Sequence, residues 1–77
     1  MKKNPFHEIT ALFNSTPTVV TIQLLDVIKR IMHSSGVEVK TYSNAFKILE
    51  YLHENNALEL TTTKSGSHLV SNKYVKE

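Results

Sequence analysis

Side chains able to do acid–base or metal chemistry are few and poorly spaced for it. The four histidines, His7, His33, His53 and His68, are scattered over 77 residues with no HxxxH or HExxH pair, the spacing that sets two zinc ligands on one helical face. There is no cysteine to complete a thiolate site. Glu50 and Glu54 share a helix flank, but neither a nucleophile nor a positioned base accompanies them. Gly36 and Gly66 are the only glycines, too few for a phosphate-cradling loop. The expectation is a protein that binds without catalysing a reaction and without a cofactor. Two groups of hydrogen-bonding side chains suit that role. One comprises Lys40, Thr41, Ser43, Asn44, Lys47 and Tyr51, and the other Lys64, Ser65, Ser67, His68 and Lys73.

The elements that carry these groups are legible in the apolar spacing. At about 100° per residue, "YSNAFKILEYL" turns Ala45, Leu49, Leu52 and then Asn56 to one side, with Phe46, Ile48 and His53 flanking them. Asn44, Lys47, Tyr51 and Glu54 face the other way, and Ser43 lies at that face's edge. This predicts a helix over 42–55, closed by Asn55-Asn56, a pair that tolerates a left-handed cap. "ALELTTT" then reads as a strand, "KSGS" as a turn and "HLVSNKYV" as the returning strand, a hairpin over 58–75.

Upstream, Asn4-Pro5 has the form of an N-cap followed by proline at the first helical position. Phe6, Ile9, Leu12 and Phe13 predict a helix over 5–14, stopped by "NSTP". The most apolar stretch, from Thr16 to Gly36, predicts a helix over 21–34 with a stripe of Val20, Leu24, Val27, Ile28 and Ile31. Lys29, Arg30 and His33 occupy its last turns, where cations suit the helix dipole, and Gly36 follows as a left-handed cap. "TVVTI", 18–22, is β-branched and reads equally as a short strand or a helix start. "VEVK", 37–40, reads as a short strand or an extended turn.

Helix, short strand, helix, helix and closing hairpin, in that order, resemble a winged helix-turn-helix domain. The resemblance rests on "YSNAFKILEYL", "NNALEL" and "TTTKSGSHLVSNKYV" and covers roughly residues 6–75. It implies a single mainly α domain with a C-terminal β-hairpin (an α+β fold of three helices and a two- or three-stranded wing) that binds double-stranded DNA. The connection "HSSGVEVKTY" is longer than the three or four residues common between helices of such units. In this family the third helix usually enters the major groove. Ser43 and Asn44 can pair with base edges, Asn bidentately with adenine, and Lys47 can meet guanine or a phosphate. Tyr51 can donate to a phosphate, and the helix start at Lys40 and Thr41 favours one. Glu50 and Glu54 oppose insertion of the whole helix, so contact is expected from its first two turns. The "TTTKSGSH" turn offers hydroxyls, backbone N–H groups and Lys64 to phosphates. The plain alternatives are a solvated helix face and an ordinary β-turn, and Lys73 has Glu59 as an alternative partner across the hairpin.

Charge and composition bound the rest. The net charge is +2, from nine Lys/Arg and seven Asp/Glu, so distribution matters more than total. No acid lies between Ser65 and Lys76, and Lys2 and Lys3 make residues 1–4 a flexible basic end. The start lacks the apolar run of a signal peptide, and no stretch approaches the roughly 18 apolar residues of a membrane span. A cytoplasmic protein is expected, a small bacterial or phage transcriptional regulator or a plasmid-type replication accessory factor. Apolar residues nearly encircle the second helix, which predicts a homodimer through it. The rival function is a protein-interaction module on the same fold, such as a small phage product that occupies a host enzyme. A positive band over Lys40, Lys47, Lys64 and Lys73 favours DNA, whereas an exposed patch of Ile22, Leu25 and Met32 favours a protein partner.

Overall fold

Caps decide where each helix begins. In the computed structural model, which describes residues 4–14 and 16–72, Asn4 Oδ1 accepts from the Phe6 and His7 N–H groups and starts α1, Pro5–Thr10. Thr21 Oγ1 accepts from Leu24 N at 3.1 Å and starts α2, Ile22–Ser34. Thr41 Oγ1 accepts from Asn44 N at 3.0 Å and starts α3, Tyr42–Glu54. Such caps satisfy amide groups that the first helical turn leaves unpaired.

Two of these helices end in the same way. Val37 N donates to Met32 O and Gly36 N to His33 O, with Gly36 at φ 90°. Ala57 N donates to Leu52 O and Asn56 N to His53 O, with Asn56 at φ 63°. Both are the paired closing bonds of a Schellman motif, with glycine in one and asparagine in the other at the left-handed position. Asn56 is therefore an exposed cap rather than a member of the apolar face. The first helix is shorter than the expected 5–14. After Thr10 the bonds tighten, Leu12 N to Ile9 O and Phe13 N to Thr10 O. Asn72 Nδ2 donates to the carbonyls of Thr10 and Phe13, and Phe13 is buried in the core.

Residues Thr18–Val19 form a short strand, β1; Leu58–Thr62 form β2 and His68–Asn72 form β3. The sheet is antiparallel with order β1-β3-β2. "TVVTI" thus divides, its first residues pairing with β3 and Thr21 capping α2. "VEVK" forms no strand among the described residues. Val39 packs on the core from this extended segment, while Val37 stays exposed.

The core joins all three helices to the sheet: Ile9, Phe13, Leu25, Ile28, Met32, Ala45, Leu49, Leu52, Leu58 and Val70. It corrects the expected phase of α2. Two apolar stripes overlap on that helix, and the structure buries Leu25, Ile28 and Met32. Val20, Leu24 and Ile31 are only partly buried, and Val27 is 37% exposed. Leu25 and Met32 consequently cannot belong to an exposed patch with Ile22. Among the described residues, no helix is long and apolar enough to cross a membrane.

Candidate functional site

The start of α3 is tied to α2 by Tyr42. Its phenol donates to Asp26 Oδ1 at 3.2 Å, and Lys29 Nζ lies 4.8 Å from the ring centroid. The bond to Asp26, then the charge of that carboxylate, then slight desolvation, hold the phenol above the ordinary tyrosine pKa. Thr41 is occupied by its capping bond, so its hydroxyl serves the helix.

Beyond this anchor, α3 has three sides. Ser43, Lys47, Glu50 and Glu54 are exposed on the side away from the core. Asn44 and Tyr51 turn to one flank. There, with Lys47, they border a hollow floored by Phe6, Met32, Val39 and Ile48. The Tyr51 and Phe6 rings lie 5.4 Å apart, centroid to centroid. On the other flank Phe46 packs against the His68 ring at 4.6 Å. His53, on the flank of the apolar face, is exposed. Its Nδ1 lies 3.3 Å from both Leu60 N and Leu58 O, and it accepts from Leu60 N when the ring proton is on Nε2.

Thr63 organises the hairpin turn. Its N–H donates to Ser67 O at 2.8 Å, and its Oγ1 accepts from Ser67 N at 3.1 Å. Its hydroxyl also lies 3.0 Å from Ser65 Oγ, and Gly66, at φ 94°, donates to Thr63 O. Lys64 is held exposed in this closed turn. Next to the turn, His68 Nδ1 is 3.2 Å from the Thr62 hydroxyl across the strand pair.

Lys40 lies elsewhere, lining a second hollow with Lys29, Arg30, His33, Asp26 and Glu38. Within the described residues, every residue of the two expected groups is exposed. Phe46 holds His68 on one flank of α3, whereas Lys47 borders the hollow on the other. Lys40 belongs to the cleft beside α2, and Lys64 to the turn. Lys73, Lys2 and Lys3 lie outside the described residues, as does the expected hairpin beyond Asn72. No three His, Asp or Glu side chains gather to hold a metal among the described residues.

Sequence reasoning missed Phe46 as the link between helix and hairpin, Thr63 as the turn's organiser, and Tyr42. It assigned Lys29 and Arg30 to the helix dipole alone. Only Phe46 had a sequence signal, its position on the flank of the apolar face. Comparisons of the chain with family models, with curated proteins and with solved structures found no match.

Proposed function

We propose that this protein is a winged-helix domain that binds double-stranded DNA, with α3 in the major groove and the hairpin turn on the phosphate backbone. The carrying observation is the Phe46–His68 contact. It packs His68, beside the hairpin turn, on the flank of α3 that carries Phe46, and we read helix and turn as one binding surface. The element order, with β1 added to the hairpin as a third strand, supports the same reading. Ser43 and Lys47 are the side chains best exposed to bases, and Asn44 reaches from the adjoining flank. Glu50 and Glu54 limit groove contact to the first two turns of the helix. The role is binding without chemistry, in the cytoplasm, as a small bacterial or phage transcriptional regulator or a replication accessory factor.

A specific observation favours the rival reading, a protein-interaction module such as a phage product occupying a host enzyme. The hollow floored by Phe6, Met32, Val39 and Ile48 would accept an apolar side chain of a partner. DNA is preferred because the more outward side of α3 is polar. A homodimer through α2 is part of the proposal and rests on exposed Val27 and Ile22, with Val19 just before the helix. Sedimentation is expected to show dimer at high micromolar concentration or on DNA; monomer alone under both conditions removes that part.

Anisotropy titrations against a selected duplex and a scrambled one test the assignment. Lys64→Ala is expected to weaken binding to both about equally and to lower the salt slope by roughly one. Asn44→Ala is expected to relax discrimination at one base position by about 1–3 kcal/mol. Lys47→Ala follows either pattern, since lysine serves phosphate and guanine alike. Unchanged affinity and discrimination in all three variants would remove this surface from DNA binding.

A further inference from the structure

The hollow lined by Lys40 has a composition that the helix and hairpin do not explain. Lys29, Arg30 and His33 reach it from the C-terminal half of α2, and Lys40 reaches it from the connection to α3. The two lysines and the arginine come from two separate segments and border one open space of about 620 Å³, ample for a phosphate group. Among the described residues, neither Arg30 nor Lys40 makes an ion pair. One of the two acids in the hollow, Asp26, already accepts the Tyr42 phenol. Exposed long cations on a solvated surface are ordinary. Lys29, Arg30 and Lys40 exceed Asp26 and Glu38 by one positive charge in this hollow, an excess that an anion can meet.

The position of the hollow indicates which anion. Lys40 directly precedes Thr41, the N-cap of α3. Tyr42, the first residue of α3, is pinned to Asp26 on the rim of the same hollow. A duplex that receives the start of α3 in its major groove brings its backbone past this place. Arginine grips phosphate oxygens with two parallel N–H bonds, and lysine adds a point charge. We infer that the cleft between the C-terminal half of α2 and residues 38–40 is a second phosphate-contact site for the bound duplex, with Arg30 and Lys40 as its principal ligands. This inference rests on the DNA reading and extends it beyond helix and hairpin. Glu38, exposed in the same hollow, opposes the phosphate and moderates the affinity.

The test is an anisotropy titration of a fluorescent random-sequence duplex at several salt concentrations. It uses the full chain, Arg30→Ala, Lys40→Ala, Glu38→Gln and, as the control for the hairpin, Lys64→Ala. Circular dichroism verifies that each variant is folded. Arg30→Ala and Lys40→Ala are each expected to weaken binding several-fold and to lower the slope of log K against log salt by about 0.9. Glu38→Gln is expected to tighten binding. If Lys64→Ala weakens binding while Arg30→Ala and Lys40→Ala leave affinity and slope unchanged, the cleft is not a phosphate site and the DNA reading stands. If the unmutated protein binds no duplex at low salt, both fail. A further arm titrates inorganic phosphate against amide resonances of residues 29–40. Saturation at low millimolar phosphate, together with unchanged duplex binding in the variants, identifies a small-anion site and overturns the inference.

Discussion

Tyr42 bears on the orientation of α3 through one hydrogen bond, donated to Asp26. Because its pKa is raised in the folded chain, the bond stabilises the protein fully at pH values below the ordinary tyrosine pKa of about 10. That contribution disappears as the pH rises through the higher folded value. Tyr42→Phe is therefore expected to remove a component above about pH 10 from the tyrosinate absorbance titration and to lower the denaturant midpoint slightly at pH 7 but not at strongly alkaline pH. An unchanged alkaline titration contradicts the assignment. The two partners are sixteen residues apart, and nothing in their spacing announces the bond. Local devices were far easier to read. Asn4, Gly36 and Asn56 act within a few residues of themselves, so their capping roles could be stated from sequence. Asn72 is the opposite case, because it caps α1 from the far end of the chain.

At the scale of elements, the phase of α3 was legible and the phase of α2 was not. Ala45, Leu49 and Leu52 form one apolar stripe with polar residues opposite, and all three are buried. On α2, by contrast, Ile28 of the expected stripe is buried, but its companions Leu24, Val27 and Ile31 compete with Leu25 and Met32. Only tertiary packing against α3 and α1 selects the second set. Substitutions separate these cases. Leu49, fully buried, is expected to cost about 2–5 kcal/mol on Leu49→Ala, a large share of the stability available at about 0.05–0.15 kcal/mol per residue. Val27→Ala, at a site 37% exposed, is expected to cost about 1 kcal/mol or less. Denaturant midpoints for the two variants check this ordering. A larger loss for Val27→Ala would restore the first stripe as the core. The truncation of α1 was also hidden, because it depends on Asn72 and on Phe13 turning inward under the sheet.

For the whole molecule, exposure of the candidate residues was legible and their grouping was not. Polar side chains opposite an apolar stripe had to face solvent, and they do. That Phe46 would seat the hairpin against α3, and that Lys40 would join Arg30 and His33 instead of Lys47 and Lys64, depended on how the elements pack. The proposed DNA-binding surface is thus assembled from segments that are distant in sequence: α3, the hairpin and the connection between α2 and α3. Its most direct test is the binding of the unmutated protein to a random-sequence duplex, followed by anisotropy from low to physiological salt. The account predicts measurable binding at low salt. It also predicts a linear fall of log K with log salt, at about 0.9 for each phosphate contacted, implying several contacts. No binding at low salt, even at protein concentrations high enough to form a dimer, would contradict it. The polar side of α3 would then be a protein-docking surface or simply the solvated side of a helix.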